Sequence, residues 1–288
     1  MAVAGAQMKI LRNILLVLVA LLLLVALSAY LWSEHILRAR PTPAASKLAT
    51  PTAAELADGS RQLHVLGCLS CHGKGLQGDM FLDEPGVAKI YAPNLTLVAA
   101  KATDRQLEHA IRQGIGHDGR SLLVMPAEGY QFMTDSEVAA VIAAIRALPK
   151  GGKEYPLPSV GPKGRIGLIL GKFHTAPDLV RTFRENPVPD FGPQYAKGRH
   201  IVMTNCAECH GPQLHGQEVE PGVVSPDMEI AGAYDLPAFT KLMRTGVPAD
   251  GRKLKMMGSV ATSDFSHLTD EEIAEIHAYL AERARRMP

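Results

Sequence analysis

Two five-residue segments of this chain combine two cysteines and a histidine at the same close spacing. Residues 68–72 read C-L-S-C-H and residues 206–210 read C-A-E-C-H. Both match C-x-x-C-H, the attachment motif of c-type haem, in which two thiols bond the haem and the adjacent imidazole becomes an axial ligand of its iron. The chain is therefore predicted to carry two covalently attached c-type haems. The predicted attachment residues and proximal ligands are Cys68, Cys71, His72, Cys206, Cys209 and His210.

Two other uses of a C-x-x-C pair are less consistent with the sequence. All four cysteines of the chain belong to the two motifs, so none is left over for a disulfide or a separate nucleophile. A structural zinc site needs a tetrahedral set of ligands, but the two pairs lie far apart in the sequence. A thioredoxin-like redox pair needs a βαβ pattern around it, and the sequence has none. The motifs therefore favour haem over zinc or a redox dithiol.

The segments that follow the two motifs repeat each other. Six landmarks recur in the same order, which indicates an internal duplication of a unit of about a hundred residues. The paired landmarks are C-x-x-C-H at 68 and 206, H-G-x-x-L-x-G at 72 and 210, P-[ND]-[LM] at 93 and 226, R-x-G at 112 and 244, D-G-R at 118 and 250, and T-D-x-E at 134 and 269. We call residues 53–150 the first repeat and residues 193–288 the second repeat, and each is predicted to be one domain.

The register of the duplication selects a methionine in each repeat as the second axial ligand. Met125 and Met257 both lie six residues after the glycine of the D-G-R landmark, in loops before the last helix. A thioether opposite histidine is the ligand pair that raises the reduction potential of a cytochrome c. The neighbouring Met256 is the main alternative, because a shift of one residue would exchange it with Met257.

Three further residues near these loops are candidates for the same role. Met133 directly precedes a helix cap, and its counterpart in the second repeat is Leu268, so it is interpreted as an apolar staple. His117 and His215 flank glycine-rich loops and stay open as alternative axial ligands.

The amino-terminal segment is predicted to be a membrane anchor that comprises residues 1–35. Residues 14–32 contain no charged side chain, and nineteen residues of helix span about 28 Å, enough to cross the hydrocarbon core of a bilayer. Tyr30 and Trp32 stand where an interfacial aromatic belt is expected. A cleaved signal peptide is the alternative, but the apolar run is longer than a typical signal segment. Residues 36–52 are rich in proline, alanine and threonine and are predicted to form a tether.

Outside the anchor, the chain is predicted to be all-α. Helices are expected over 53–66, 104–113 and 135–148 in the first repeat, and over 194–205, 236–245 and 270–286 in the second, with no strand in either repeat. T-D-S-E at 134 and T-D-E-E at 269 are capping boxes, which mark helix starts. Residues 151–192 are interpreted as a structured linker, with packing between the repeats or over one haem as alternatives. The net charge of +1 does not indicate a nucleic-acid partner.

With these landmarks, the chain resembles class I cytochromes c in tandem, and is similar to the cytochrome c subunits of bacterial periplasmic dehydrogenases. The similarity rests on A-P-N-L-T at 92–96, A-I-R-Q-G at 110–114 and M-P at 125–126 before an S/T-D-x-E helix. The resemblance implies that the carbonyls of Pro93 and Pro226 accept hydrogen bonds from the proximal imidazoles. It also implies a single-pass protein of the bacterial inner membrane with its haem domains in the periplasm. Such subunits typically carry three haems, whereas this chain has two motifs.

These observations predict an electron carrier rather than an enzyme. The expected partners are membrane lipid, through the amino-terminal helix, and a dehydrogenase, quinol-oxidising complex or oxidase. Electrons would pass from a periplasmic dehydrogenase or quinol-oxidising complex to a terminal oxidase or soluble cytochrome. The first alternative is the dihaem subunit of a haem-copper oxidase. The second is a dihaem peroxidase, which would need an open coordination position on one iron; two methionine ligands argue against it.

Overall fold

The computed structural model describes residues 2–220 and 222–287, and most of them are helical. The helices are α1 (Ala2–Leu37), α2 (Ala53–Val65), α3 (Cys68–His72), α4 (Leu95–Lys101), α5 (Asp104–Gln113), α6 (Ala127–Tyr130), α7 (Asp135–Ala147), α8 (Pro162–Ile169), α9 (Ala176–Glu185), α10 (Ala196–Asn205), α11 (Ala207–His210), α12 (Leu236–Thr245), α13 (Met256–Ser263) and α14 (Asp270–Arg286). The strands are β1 (Asp79–Glu84), β2 (Ala88–Ala92), β3 (Ser159–Val160), β4 (Glu218–Glu220) and β5 (Val223–Val224). The predicted all-α class is thus confirmed.

The two predicted capping boxes start the last helix of each repeat. The Thr134 hydroxyl accepts from the backbone N–H of Glu137, whose carboxylate accepts from the Thr134 N–H. Thr269 and Glu272 make the same pair of bonds at the start of α14. Each box satisfies two amides that the first helical turn leaves without a partner, which fixes where the helix begins.

The expectation of no strands in the repeats was wrong. In the first repeat β1 and β2 form an antiparallel hairpin, and β3 from the linker adds to its edge. Most of β1 is exposed, so its sequence lacks the alternation of apolar and polar residues that indicates a half-buried strand. The turn between the strands includes Gly86, whose positive φ of 79° suits glycine. In the second repeat β4 and β5 pair over only a few residues.

An arginine in the same position of each repeat ties its central helix to its last helix. Arg112 of α5 donates to the carbonyl of Met133 and to Asp135. Arg244 of α12 donates to the carbonyl of Leu268 and to Asp270. The duplication read from the sequence is therefore also present in the hydrogen bonds of the fold.

The amino-terminal helix is joined to the first repeat by packing as well as by the chain. Gln7–Leu37 is long and apolar enough to span a membrane, and none of its most apolar window is buried in the protein. Its last turn packs Leu37 into an apolar cluster with Ile90 and Leu123 of the first repeat. The segment predicted as a tether is extended and hydrogen-bonded along the first repeat, for example from the Ala44 N–H to Gln113.

Candidate haem-binding sites

The first attachment motif forms the short helix α3 and buries its histidine. His72 is 7% exposed, and its Nδ1 lies 2.8 Å from the carbonyl oxygen of Pro93. When Nδ1–H donates to that carbonyl, Nε2 is left free to bind a metal, and the ring orientation is fixed. Burial lowers the pKa of His72, and the bond to Pro93 opposes this. Burial therefore favours the neutral ring that a metal ligand must be, while the bond holds that ring in place.

The second motif repeats this geometry in a more open setting. The Nδ1 of His210 lies 2.9 Å from the carbonyl oxygen of Pro226, but the ring is only partly buried. Burial again lowers the pKa of His210, opposed by the bond to Pro226 and by the nearby Asp227. Each motif therefore presents a fixed imidazole, next to two cysteines that form no disulfide in the described part of the chain.

The loop after each motif adopts the same unusual backbone. Leu76 and Leu214 have positive φ values of 55° and 65°, and neither side chain is exposed. The N–H groups of Gly78 and Gly216 each donate to the carbonyl of the motif histidine at 2.8 Å. A non-glycine residue accepts this conformation only where its surroundings require it. The bonds turn the chain back over the motif and bury the leucine beneath it.

In the first repeat, the structure brings the predicted haem residues to one cavity of about 400 Å³. Cys68, Cys71, His72 and Met125 all line it, together with mostly apolar side chains. A thiol pair, an imidazole and a thioether around one apolar space suit a haem attached by thioethers and ligated on both faces. His117 also lines the cavity, so it stays an alternative to Met125.

The linker contributes part of this cavity wall. Residues 154–158 line the cavity, and the Tyr155 ring lies so close to Gly78 that a Cβ there would be 2.6 Å from it. Of the alternatives stated for the linker, the structure supports both: α9 packs on α6 of the first repeat while Phe183 and Val188 join the hydrophobic core of the second, and residues 154–158 cover one cofactor site. No periodic pattern in the sequence indicates this role, because residues 152–158 are coil.

In the second repeat, the two candidate methionines lie in different surroundings. Met256 lines an open cavity of about 770 Å³, together with Val223 and other residues between positions 245 and 262, whereas Met257 does not line it. Met257 packs against the hydrophobic core of the repeat, which includes Cys206 and Met243. Met125 packs in the same way against the core of the first repeat, where Ile111 holds the position of Met243. The equivalent packing favours Met257, as the register does.

An ion pair that the sequence analysis missed lies behind the second motif. Arg283 has no exposed surface, and it donates to Asp227 at 2.7 Å and to the carbonyl of Gln213. Asp227 directly follows Pro226, and it also contacts His215 at 2.7 Å. This contact uses Nδ1 of His215 and leaves its Nε2 free, as the proline carbonyls do for His72 and His210, so His215 stays an alternative axial ligand. At the matching place in the first repeat stands the neutral Asn94, 2% exposed, which caps α4 and donates to the Gly151 carbonyl.

The two motifs also meet at one interface between the repeats, where the contacts are reciprocal. Ser70 of the first motif donates to Asp264, just before the last capping box of the second repeat. The helix of the second motif, α11, packs against α6, just before the capping box of the first repeat. At Gly129 of α6, an added Cβ would lie 3.0 Å from the Thr204 carbonyl, so the backbones approach closely.

The capping-box glutamates complete this interface. Glu137 contacts Nε2 of His200 in the second repeat at 3.0 Å, and Glu272 accepts two bonds of 2.8 Å from Arg61 in the first. The rings of His64 and His267 stack beside them, with centroids 4.1 Å apart. Burial alone would raise the pKa of Glu137, but the bonds from His200 and Thr134 outweigh it and lower the pKa to about 2. No local sequence pattern indicates this interface, because its partners are distant in the chain.

Comparison with known proteins finds similarity in both repeats. Residues 195–284 match the family described as cytochrome c, and residues 54–143 match the family of cbb3-type cytochrome c oxidase subunit III. The chain is 25% identical to the fructose dehydrogenase cytochrome subunit of Gluconobacter japonicus, over 74% of this chain and 49% of that protein. It is 26% identical to a nicotinate dehydrogenase subunit of Pseudomonas putida, over 68% of this chain. The chain spans about half the length of the first relative and 17% of the second.

Proposed function

Because this chain is a dihaem c-type cytochrome with two cytochrome c domains, we propose that it carries single electrons from a dehydrogenase to a terminal oxidase or soluble cytochrome. Both relatives are named as subunits of dehydrogenases, which supports a dehydrogenase as the donor. The haems supply the one-electron chemistry, and the protein supplies their binding, orientation and electrostatic environment.

The interface between the repeats, at which both attachment helices lie, is the observation that carries this proposal. Electron transfer slows steeply with the distance between cofactors, so a carrier with two haems needs them side by side. Ser70 lies inside the first motif and bonds across the interface, while the helix of the second motif packs on the first repeat. The residues that would attach both haems therefore lie at the same boundary.

We propose that each repeat holds its haem iron between a histidine and a methionine. His72 and Met125 are the ligands in the first repeat, and His210 and Met257 are those in the second. Pro93 and Pro226 orient the two imidazoles through their carbonyl oxygens. With both axial positions filled, neither iron has an open position for a substrate, which separates this assignment from a peroxidase.

We further propose that α1 is retained as a single-pass anchor in the bacterial inner membrane, with both repeats in the periplasm. Leu37 and Ser33 near its end are built into contacts with the folded part of the chain. Cleavage at the small residues Ala26-Leu27-Ser28 would keep these contacts and release the chain from the membrane. Carbonate extraction of membranes tests the anchor, because a retained helix keeps the haem protein in the pellet.

A deletion strain tests the electron-transfer role. We expect loss of the oxygen uptake that is driven by dehydrogenase substrates, while uptake driven by an artificial donor to the oxidase continues. Complementation with the full-length chain should restore the lost activity, and complementation with the Cys68→Ala/Cys71→Ala variant should not. Unchanged dehydrogenase-linked uptake in the deletion strain would rule out the proposed donor.

The second candidate function is a subunit of a haem-copper oxidase, and the match of residues 54–143 to the cbb3-type subunit III family favours it. In that case the deletion would also abolish uptake from the artificial donor. The detergent-solubilised chain would then co-purify with copper-containing subunits, whereas a dehydrogenase subunit would co-purify with its dehydrogenase.

A further inference from the structure

Helix α8 of the linker packs against the end of the amino-terminal helix. Arg165 of α8 donates to Ser33 at 2.8 Å and to Glu34 at 2.5 Å. Its guanidinium also lies over the ring of Tyr30, 4.5 Å from the centroid. Ser33 has no exposed surface, so α1 and α8 pack together here without solvent between them.

This contact between α1 and α8 fixes the depth of α8 along the normal of the membrane that α1 would span. Tyr30 and Trp32 end the uncharged run of α1, where tyrosine and tryptophan lie at the boundary between headgroups and hydrocarbon. Because Arg165 touches the turn from Tyr30 to Glu34, α8 lies beside that boundary and not at a distance from it.

The outer face of α8 carries apolar side chains that the protein leaves uncovered. Ile166 is 54% exposed and Leu170, one helical turn later, is 67% exposed. The opposite face is buried through Gly164 and Leu168. An added Cβ on Gly164 would lie 2.3 Å from the Val87 carbonyl, so the inner face is seated on the first repeat. This seating means that α8 cannot turn Ile166 and Leu170 inward.

The charges around this face complement a phospholipid surface. Lys163 and Lys172 flank the apolar pair and are exposed. Helices that lie in a membrane interface combine a buried apolar face with lysine or arginine at its edge, which attracts anionic headgroups.

We infer that α8 is an interfacial helix, with Ile166 and Leu170 inserted into the outer surface of the same bilayer that α1 spans. The inference rests on the proposed membrane anchoring. It adds a second attachment to the membrane. Two attachments would hold the first repeat in one orientation, whereas a single transmembrane helix allows the domain to tilt relative to the bilayer surface. The occupant of the face is phospholipid, and not a protein partner.

Spin labels on the full-length holoprotein in anionic proteoliposomes test the insertion. The haems occupy the four native cysteines, so Ile166→Cys and Leu170→Cys each add one free thiol for a nitroxide. We expect these labels to be several-fold more accessible to oxygen, relative to a water-soluble nickel complex, than a label at Ile230→Cys. Ile230 is a matched control, an isoleucine of the second repeat that is 47% exposed.

A label at Leu22→Cys, in the middle of α1, separates the two proposals. If the label at residue 22 shows the oxygen accessibility of hydrocarbon, while the labels at residues 166 and 170 are no more accessible to oxygen than the label at residue 230, the inference is wrong and the anchor is supported. If the labelled chain leaves the vesicles on a carbonate wash, both the anchor and the inference are wrong. Protection of 166 and 170 from both reagents would indicate a protein partner on this face and would also overturn the inference.

Discussion

The two repeats share one fold and one set of candidate haem-binding residues, but these residues lie in different surroundings. The first repeat encloses its site, with His72 only 7% exposed and residues 154–158 of the linker as an additional wall. The second repeat leaves His210 partly exposed, and its open cavity at Met256 is lined by none of Cys206, Cys209, His210 and Met257. The duplication therefore kept the proposed ligands and changed the solvent exposure of the proximal histidine.

The residue next to the proximal hydrogen bond differs in charge as well. The first repeat has the neutral Asn94 after Pro93, and the second has Asp227 after Pro226, with Arg283 buried behind it. Oxidised haem carries one more positive charge than reduced haem, and an enclosed apolar site disfavours that charge. We therefore expect the haem of the first repeat to have the higher reduction potential. Electrons from the donor would then enter at the haem of the second repeat and pass on to the haem of the first.

Removal of one haem at a time is the largest change that tests this comparison. Cys68→Ala/Cys71→Ala and Cys206→Ala/Cys209→Ala should each lower the haem content from two to one per chain. In a redox titration, the first variant should retain the lower-potential transition and the second variant the higher one. The opposite assignment would show that solvent access does not set the order of the potentials.

Replacement of the proposed methionine ligands should produce the next largest effect. Met125→Ala and Met257→Ala should each lower the potential of one haem and remove half of the methionine-to-iron absorption, since a thioether favours reduced iron. Met256→Ala is the matched control and should leave both potentials unchanged. If Met256→Ala removes the absorption and Met257→Ala does not, the register of the second repeat is shifted by one residue.

Local patterns of the sequence predicted the features that depend on neighbours in the chain. The C-x-x-C-H motifs, the capping boxes at Thr134 and Thr269 and the apolar run of α1 each rest on residues within a few positions of one another. Side-chain periodicity and helix capping depend on residues that are close together in the chain, so a single sequence is enough to predict them. The duplication extended this reading, because it supplied a register in which Met125 and Met257 correspond.

The features that sequence could not predict join residues far apart in the chain. Arg283 pairs with Asp227 across the second repeat, and Arg61 pairs with Glu272 across the interface. The hairpin of β1 and β2 was missed because its outer strand is exposed and lacks a period of two. In each case tertiary packing determines the partner, and the conformational preferences of neighbouring residues do not indicate it.

The ion pair of the second repeat should be worth more than the neutral contact that replaces it in the first. Asp227→Asn leaves Arg283 buried without its carboxylate, which costs on the order of 3 kcal/mol. Denaturant unfolding followed at the haem absorption measures this change in the free energy of unfolding. The same substitution at Asp250 is the control, since its pair with Arg252 is exposed on both sides and contributes at most about 1 kcal/mol. Equal effects at the two positions would contradict a structural role for the buried pair.

The same pair predicts an acid sensitivity that differs between the repeats. Burial alone would raise the pKa of Asp227, but bonds from Arg283, the Glu229 amide and His215 outweigh it and lower the pKa to about 2. A carboxyl with a lowered pKa stabilises the folded state above its unfolded pKa of 3.8, and the contribution is lost as the pH falls towards 2. Between these values the wild-type second repeat should lose stability more steeply than the Asp227→Asn variant, in acid titrations followed at the second haem. Parallel curves for the two proteins would show that another carboxyl governs the acid response.

The smallest expected effect compares the two halves of the interface. Arg61→Ala removes bonds from two guanidinium nitrogens to Glu272 and a bond to the His267 carbonyl, whereas His200→Ala removes the contacts of a single ring nitrogen with the Glu137 carboxylate. We expect Arg61→Ala to cost about 2 kcal/mol of coupling between the repeats and His200→Ala about 1 kcal/mol or less, because bonds to charged groups are stronger and more of them are lost. Calorimetry measures this as separation of the two unfolding transitions, with Lys241→Ala on the exposed surface of α12 as the control.

Slower electron transfer between the haems in Arg61→Ala, with both potentials unchanged, would show that the contact helps to set the distance between the cofactors. Transitions that stay merged in Arg61→Ala would mean that the close backbone packing at Gly129, and not the ion pair, holds the two repeats together.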